Sequence, residues 1–505
     1  MAPARVNGVV SSDQEAFDLP KLRMSFGLES DTRYLGTQEA SVPEFFDIKF
    51  CPDQPLNSDP VFAAVSKKQV VICRLFGGKD EPSPCEIITI IRDADGAAEN
   101  CCCTWSRDPK TGRPLICVAG QDAKIKVYDV ANGELAVCLV GHGGEINDLA
   151  TSPSDPSIIA SASDDTTVRI WDLKPVHAKQ PCLCLLGGES HRAALLSVAF
   201  HDTGRYLLSA GHDGTINMWT LPDIPKESLL RPYELHYPHF ATSEIHNTLV
   251  DCVAFYGDCI LSRACHNEVI VLWSIEGFSS DDPPPPQSAA PTPYDPSRLT
   301  RSAFSPSMTP AGPVLYSRIM ELDTPGCGPQ FFMRFRLHHA PGQNPVLAFC
   351  NANGKVFFWD FERLRGFRNF VRAATDAQRT GQPVPTRPSW LQVAHPRKGG
   401  GEQTAKGPAS RDARASTDVA SSDVGIEGKN HADGPLKGYT RETVSQWESK
   451  YDIDSTRQPL KAHRVEAFGT SNFVGRQVGW SPGGEWCVVV GSSNVALMLQ
   501  RWAKK

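Results

Sequence analysis

The hydrophobic and polar positions of this chain repeat one local pattern, a strand, a polar turn and a second strand. The pattern is clearest in LICVAGQDAKIKVYD, IIASASDDTTVRIWD and LLSAGHDGTINMW, which end at residues 129, 172 and 219. In each, the turn aspartate precedes the aromatic residue of the second strand by six positions, and Asn353 and Trp359 keep the same spacing. A fixed spacing that recurs along a chain indicates a repeated structural unit.

Histidines stand in polar turns ahead of apolar, alternating stretches at three places, His142, His191 and His246. Such phrases are typical of WD40 blades, in which a linked hydrogen-bond network satisfies polar side chains where the strands converge. We predict a structural network in two blades, made in one by His142, Ser161, Asp165 and Trp171 and in the other by His191, Ser209, Asp213 and Trp219. The alternative is a catalytic His/Asp/Ser set, but an active site would not recur from unit to unit.

Counting outward from these units predicts an all-β fold, a seven-bladed WD40 β-propeller. The blades are expected around residues 46–75, 101–130, 145–173, 195–221, 250–275, 331–361 and 474–502. Blades of about 40–45 residues fill roughly 300 positions, so the surplus has to lie in termini and loops. We predict a disordered segment over 1–40 and a propeller over 41–505, interrupted by disordered insertions at 279–313, which is Pro/Ser-rich, and at 362–460.

The second predicted insertion is basic and of low complexity. It contains arginines at Arg363, Arg365, Arg368, Arg372, Arg379 and Arg387 and then the run RKGGGEQTAKGPASRDARAS. One interpretation is a solvated surface loop. The other is an electrostatic contact with nucleosomal DNA or with another subunit, which basic flexible segments commonly make.

The composition excludes several classes of protein. The chain has 505 residues, 40% of them hydrophobic, and a net charge of -6, so it can bury a large core and does not bind nucleic acid by bulk charge. It has neither an apolar run of about 18 residues nor a secretory signal, so no membrane association is expected. The sixteen cysteines lie mostly in apolar runs, which predicts reduced thiols in an intracellular compartment. No cofactor and no metal site is expected.

The stretch HYPHFATSEIHNTLVDCVAFYGDCILSRACHN, residues 236–267, is more specific than a generic repeat. Further distinctive phrases are DAD at 93–95 leading to Trp105, GHGGEIN at 141–147, LGGESHRAALLSV, and MRF at 333–335. On these phrases the chain resembles the embryonic ectoderm development / extra sex combs family, the propeller subunit of the second Polycomb repressive complex. The resemblance covers residues 46–502 apart from the two insertions.

This resemblance implies a nuclear protein with defined partners. They are a SET-domain histone H3 methyltransferase, a zinc-finger Polycomb subunit of the same complex and a methylated histone H3 tail. It also implies a trimethyl-lysine cage at one mouth of the propeller, carried over to Phe46, Cys101, Phe331 and Phe332, with Arg476 lining the peptide groove. A trimethylammonium group has no N–H to donate, so ring faces and apolar contact have to recognise it.

The cage departs from the family pattern in two ways. Cys101 stands where the family has a tyrosine, and phenylalanine replaces tyrosine or tryptophan at Phe331 and Phe332, so a weaker cage is expected. A shift of one residue in the alignment over 96–104 is the alternative for Cys101. Apart from the resemblance, the phenylalanines are ordinary packing residues at the start of inner strands. Consecutive cysteines at 101–103 lack C-x-x-C spacing and are expected to be strand residues, not metal ligands.

Three functions can be compared on this basis. The first is a scaffold that binds and stimulates a SET-domain methyltransferase and reads a methylated tail, in support of gene silencing. The second is a generic WD40 adaptor of another multi-subunit assembly, without methyl-lysine reading. The third, an enzyme, is disfavoured because the sequence contains no G-x-S-x-G, P-loop or HExxH motif outside the repeat positions; the match GWSPG at 479–483 lies within the seventh repeat.

Overall fold

The fold is known from a computed structural model. It describes residues 18–28, 44–56, 58–76, 84–93, 95, 99–292, 298–310, 312–393, 432, 434–454, 458–469 and 473–501. Two compact units divide the chain. Unit 1 comprises 1–361 and 456–505, and unit 2 comprises 362–455.

Unit 1 is a seven-bladed WD40 propeller, as the sequence predicts. After a first strand, β1 (Lys21–Gly27), the chain forms blade 1 from β2 (Phe45–Phe50), β3 (Val61–Ser66), β4 (Gln69–Leu75) and β5 (Cys85–Arg92). Blade 2 consists of β6 (Asn100–Arg107), β7 (Pro114–Gly120), β8 (Lys124–Asp129) and β9 (Leu135–Val140). Blade 3 begins with β10 (Ile146–Thr151), β11 (Ile158–Ser163), β12 (Val168–Asp172) and β13 (Cys182–Leu186), and blade 4 with β14 (Leu195–Phe200), β15 (Tyr206–Gly211) and β16 (Ile216–Thr220).

The second half of the propeller contains longer connections. Blade 3 gains a parallel fifth strand, β17 (Tyr233–Leu235), and blade 4 is completed by β18 (Phe240–Thr242) and β22 (Thr300–Ser302). Blade 5 is formed by β19 (Val250–Tyr256), β20 (Cys259–Ala264), β21 (Val269–Ile275) and β25 (Tyr316–Asp323), with a separate hairpin of β23 (Ser307–Thr309) and β24 (Gly312–Val314). Blade 6 has β26 (Arg336–His338), β27 (Val346–Cys350), β28 (Lys355–Asp360) and β29 (Arg464–Ala467), and blade 7 has β30 (Gly475–Trp480), β31 (Trp486–Gly491) and β32 (Val495–Gln500).

The second strand of each blade lies deep in the core of unit 1. In β11 (IIASAS) and β31 (WCVVVG) every residue is buried. Such strands are mostly apolar because both rows of side chains contact a neighbouring blade. The buried serines among them, such as Ser161 in β11, have hydrogen-bond partners.

The first strand completes the last blade, which corrects the prediction of disorder over 1–40. Strand β1 pairs antiparallel with β32, from Lys21 opposite Gln500 to Gly27 opposite Val495. Leu22, Met24 and Phe26 alternate along it and pack against the buried core, which explains why this segment is ordered. The predicted disorder over 1–17 and 29–40 lies outside the described residues.

The two insertions also differ from the prediction. Within 279–313, β22 pairs with β18 of blade 4, because even three residues satisfy main-chain groups at an open sheet edge. Within 362–460, unit 2 contains two helices, α1 (Phe361–Thr380) and α2 (Arg441–Tyr451). The predicted disorder over 394–431 lies outside the described residues.

Unit 2 has an aromatic interior. The ring of Phe367 lies 5.8 Å from that of Tyr451, and Tyr439 lies 4.7 Å from Trp447. Helix α1 buries apolar side chains at intervals of three or four positions, Leu364, Phe367, Phe370, Ala374 and Ala377. In the part of the chain that the structure describes, no helix combines the length and apolar character needed to span a membrane.

Candidate functional site

A β-bulge occurs at the second residue of six inner strands among the described residues. The ladder register skips one residue in blades 1, 2, 3, 4, 5 and 7, at Phe46, Cys101, Asn147, Leu196, Asp251 and Arg476. A bulged residue leaves the ladder, and its side chain points in a new direction. Because the inner strands start at the same end of the propeller, these six residues lie near one mouth. Asn147, Leu196 and Asp251 are buried there, whereas Phe46, Cys101 and Arg476 are half-buried.

Three of the five residues predicted for the cage and groove occupy these bulges, and the other two precede β26 of blade 6. Phe46, Cys101 and Arg476 belong to blades 1, 2 and 7. The predicted residues therefore form an arc over four consecutive blades, in the order 6, 7, 1 and 2. Asp47 joins blades 1 and 2 beneath this arc, because its Oδ2 accepts a hydrogen bond of 2.9 Å from the backbone N–H of Cys103.

Phe331 and Phe332 form an aromatic pair with ring centroids 5.3 Å apart. The sequence places them at the start of an inner strand, but the segment before Arg336 has no ladder hydrogen bonds, so this expectation is corrected. Phe331 is 43% exposed, whereas Phe332 is half-buried. Phe332 has a φ of 56°, a left-handed conformation that is unfavourable for a side chain of this size.

Arg476 is attached to this aromatic pair. Its Nη1 donates to the carbonyl of Phe331 at 2.8 Å, and its Nε pairs with the carboxylate of Glu44. Its own carbonyl accepts from the backbone N–H of Arg334 at 2.8 Å. In this conformation the guanidinium holds Phe331 in place. A peptide in the groove would therefore meet an arginine whose charge is already paired with Glu44.

Cys101 lies at the mouth with its side chain half-buried. Its thiol donates to the carbonyl of Ile146 at 3.1 Å, and the neighbouring Asn100 and Cys102 are buried. Neither neighbour in the alternative alignment is aromatic, so a shift of one residue would not restore a ring at this place. All sixteen cysteines lie among the described residues and are free thiols. A search of the described residues finds no group of three or more His, Cys, Asp or Glu that could hold a metal ion.

Four charged side chains lie beneath the mouth, three of them buried and that of Lys49 half-buried. Arg334 donates through Nη1 to Asp148 at 3.1 Å and through Nη2 to the carbonyls of Asn147 and Leu196. Lys49 lies 3.6 Å from Asp47 and 3.8 Å from Asp148. Burial alone would raise the pKa of Asp47, but Lys49 and Arg334 hold it below its ordinary value. Two cations and two anions therefore leave the floor of the site neutral.

Arg334 is the functional candidate that sequence reasoning missed. Its guanidinium carbon lies 5.1 Å from the ring centroid of Phe332, a cation–π distance. The phrase MRF marked this arginine, but its partner Asp148 lies 186 positions away in the chain. Only the folded ring of blades brings the two together.

The predicted blade networks are present as hydrogen bonds. In blade 3, His142 Nδ1 lies 2.8 Å from Asp165 and Nε2 lies 2.6 Å from Ser161, and Trp171 Nε1 donates to Ser161 at 2.9 Å. Blade 4 has the same contacts among His191, Asp213, Ser209 and Trp219, at 2.8 to 3.0 Å for the shortest. Ser161 and Ser209 are fully buried and accept from an indole, so a substrate has no access to either hydroxyl.

A third network in blade 5 goes beyond the two that the sequence predicts, although its histidine was noted. His246 Nε2 lies 2.8 Å from Ser262, which also accepts from Trp273 Nε1 at 3.0 Å. Here Asn267 replaces the aspartate and donates to His246 Nδ1 at 3.0 Å. Burial, with Arg318 nearby, lowers the pKa of His246 to about 3.

Several of the arginines of the basic segment have partners within unit 2. Arg363 is buried, with its guanidinium 5.8 Å from the Trp390 ring. Arg365 pairs with Glu362 at 2.7 Å, Arg368 with Asp454 at 2.9 Å, and Arg387 donates to the carbonyl of Leu391. Arg372 and Arg379 are exposed on α1.

Comparison with known proteins gives close relatives over the whole chain. The family model described as WD domain, G-beta repeat, matches residues 133–172 and 182–220. The chain is 47% identical to Polycomb protein EED of Chaetomium thermophilum, over 98% of this chain and 98% of the relative. It is 28% identical to Polycomb protein esc of Drosophila melanogaster, over 60% of this chain and 66% of the relative.

Two solved structures are similar at the same level. The crystal structure of the Chaetomium thermophilum Polycomb repressive complex 2 contains a chain that is 48% identical, with a TM-score of 0.85, covering 98% of this chain and 100% of that chain. The structure of the same complex with H3K27me3 and H3K27M contains a chain that is 49% identical, also with a TM-score of 0.85 and the same coverage.

Proposed function

Since the chain belongs to the family of the Polycomb proteins EED and esc, we propose that it is the non-catalytic WD40 subunit of a Polycomb repressive complex 2. In this complex it acts as a scaffold for a SET-domain histone H3 methyltransferase and a zinc-finger subunit, and it reads a trimethylated lysine of the histone H3 tail. Occupancy of the reader stimulates the methyltransferase and supports gene silencing. The site of action is the nucleus, where chromatin is found.

The arc of aromatic residues at one mouth carries this proposal. Phe46 stands at a bulge of blade 1, and Phe331 and Phe332 stand as a pair on blade 6, with Arg476 of blade 7 between the two blades. The similarity to a chain of a complex solved with H3K27me3 supports a role in binding the methylated tail. A generic adaptor would need the blades but not this arc.

Recognition follows from the chemistry of the mouth. Each well-placed ring face attracts a trimethylammonium group by about 0.5–2 kcal/mol. The floor of the site adds no net charge, because Arg334 is paired with Asp148 and Lys49 lies beside Asp47. Cys101 leaves the blade 2 side of the mouth without a ring, so the cage has fewer aromatic walls than the family pattern implies. We therefore propose selective but weak binding.

Fluorescence-polarisation binding of histone H3 tail peptides tests the proposal directly. Peptides around lysine 27 that differ only in trimethylation are titrated with the full chain at one salt concentration. Tighter binding of the trimethylated peptide supports a reader. Equal binding of both peptides would leave a WD40 adaptor without methyl-lysine reading, the alternative function.

A contact between unit 2 and nucleosomal DNA is a separate, weaker proposal. It depends on Arg372 and Arg379, since Arg363, Arg365, Arg368 and Arg387 already have partners. Each arginine that binds a DNA phosphate adds about one unit to the slope of affinity against salt concentration on logarithmic axes. Replacing both exposed arginines by glutamine should therefore flatten the salt dependence of DNA binding by the assembled complex.

A further inference from the structure

The two aromatic residues of blade 6 lie on a segment without sheet hydrogen bonds. We name residues 324–335, between β25 and β26, the aromatic loop. Phe332 in this loop adopts a φ of 56°, which a free phenylalanine rarely adopts. Such a conformation persists only where the surroundings enforce it. The contacts that hold the aromatic loop therefore decide where its rings point.

The end of the aromatic loop is tied to neighbouring blades. Asp251, the bulged residue of blade 5, accepts a hydrogen bond of 3.3 Å from the backbone N–H of Met333. On the other side, Arg476 donates to the carbonyl of Phe331 at 2.8 Å. These contacts flank Phe332 directly.

The start of the aromatic loop is tied to Glu268 of blade 5. Its Oε1 accepts from the backbone N–H groups of Gly326, at 3.0 Å, and Cys327, at 3.3 Å. Its carbonyl accepts from Thr324 at 2.8 Å. Gly326 has a φ of 79°, and a Cβ on it would lie 2.7 Å from Nδ2 of Asn353, so the loop is held tightly between Glu268 and blade 6.

The left-handed backbone conformation at Glu268 does not require a glutamate. It lies five residues before the strand aromatic Trp273, and the residues at this spacing in blades 2, 3, 4 and 6 have positive φ: Ala123, Thr166, Gly214 and Gly354. A left-handed position favours glycine, which blades 4 and 6 have. The Glu268 side chain is exposed and adds little packing, so its carboxylate has to be explained by what it binds.

We propose that Glu268 is a positioning residue for the methyl-lysine cage: its carboxylate fixes the start of the aromatic loop, and thereby the orientation of Phe331 and Phe332. The inference rests on the proposed reader function. An ionised acceptor forms stronger bonds to backbone N–H groups than a neutral one does. Loss of these two bonds frees the loop start, and the rings then have to be ordered when the peptide binds.

Substitution by glycine tests the effect of the carboxylate separately from the effect of the backbone conformation. Glu268→Gly keeps the left-handed turn, as in Gly214 and Gly354, but removes the acceptor. Glu268→Gln keeps an acceptor oxygen in the same place without the charge. Thr166→Gly makes the same backbone change in blade 3, away from the aromatic loop, and is the matched control.

The experiment measures trimethylated-peptide affinity, thermal stability and hydrogen exchange of the aromatic loop for the full-length variants. We expect Glu268→Gly to weaken binding by about three- to tenfold and to speed exchange at Gly326 and Cys327, with no loss of melting temperature. Glu268→Gln should stay within about twofold of wild type, and Thr166→Gly should not change binding.

Wild-type affinity or unchanged loop exchange in Glu268→Gly would overturn the inference. A fall in melting temperature that accounts for the weaker binding would also overturn it, because Glu268 would then only stabilise the turn. If wild type does not distinguish the methylated peptide, the proposed function fails. Hydrogen exchange in the unliganded protein still decides whether Glu268 holds the loop.

Discussion

The networks inside blades 3, 4 and 5 and the bulged residues around the mouth both belong to the repeat. They differ in how much the residue type varies from blade to blade. Inside the blades a histidine, a serine and a tryptophan recur with nearly the same distances. At the mouth, equivalent bulges carry a phenyl ring, a thiol, an amide, an aliphatic chain, a carboxylate and a guanidinium. Repeated positions serve folding, and the varied positions that are partly exposed, Phe46, Cys101 and Arg476, are available for recognition.

One exchange within the networks shows how a blade accommodates a different turn residue. In blade 3 the Asp165 carboxylate can only accept, so His142 carries its proton on Nδ1. In blade 5 the amide of Asn267 donates to Nδ1 of His246, so the proton of that ring is on Nε2 and is donated to Ser262. The network survives because the tautomer changes with the turn residue.

Removal of a network tryptophan should have the largest effect. Trp171→Ala deletes a fully buried side chain and leaves Ser161 without its indole donor, at a cost of about 3–5 kcal/mol in the free energy of unfolding. Denaturant unfolding of the purified chain measures it. Trp171→Phe, which keeps a ring, should lose less. A fully stable Trp171→Ala protein would contradict the structural role of the network.

Acidification should weaken the interior before it affects the mouth. The pKa of His246 is lowered to about 3 in the folded chain from 6.5, so between these values the unfolded chain binds a proton that the folded chain does not. Stability should therefore fall as the pH drops below about 6.5, by about 2 kcal/mol at pH 5 from this group. Denaturant midpoints at several pH values measure the slope, which should be flatter in His246→Gln. An equal slope in both would contradict this assignment.

Truncation of a cage ring should affect binding more than folding. Phe332→Ala removes one ring face, and we expect about tenfold weaker binding of the trimethylated peptide with little change for the unmethylated one. Copurification of the variant with the methyltransferase subunit is the control. Loss of assembly in this variant would refute the division between a structural interior and a recognising mouth.

The smallest effect is expected where the mouth departs from its family. Cys101→Tyr places a ring at the bulge of blade 2, and binding of the trimethylated peptide should tighten about threefold. Cys138→Tyr makes the same exchange at an exposed position on the outer strand β9 and should leave binding unchanged. Equal effects of both variants would show that residue 101 does not contact the methylated side chain.

Repetition explains how much of the fold was predictable. The six-residue spacing from Asp165 to Trp171 recurs in blades 2, 3, 4 and 6 because these blades have the same turn, and counting outward from them predicts seven blades. Strand β1 was missed, although Leu22, Met24 and Phe26 alternate, because its partner β32 lies at the far end of the chain. Helix α1 was not predicted because its arginines give the segment a basic, polar composition. Apolar residues such as Phe367 and Phe370 nevertheless have the spacing of a helix.

The candidate site was predictable to a smaller extent. Resemblance alone selected Phe46, Cys101 and Arg476, and no rule of sequence periodicity marks a bulge. The contacts that hold the site, from Glu268 to Gly326 and from Arg334 to Asp148, join residues that are distant in the chain. Such pairs form only when the blades fold and pack together, so they become visible with the structure.

The pairing of β1 with β32 determines when the last blade can be completed during translation. Lys21 leaves the ribosome well before its partner Gln500 is made. At about 5–20 residues per second, roughly 25–95 s of translation separate the two. During that time β1 has no strand to join and blade 7 stays incomplete. Any subunit that requires the closed propeller therefore cannot bind before residues 495–500 have been made.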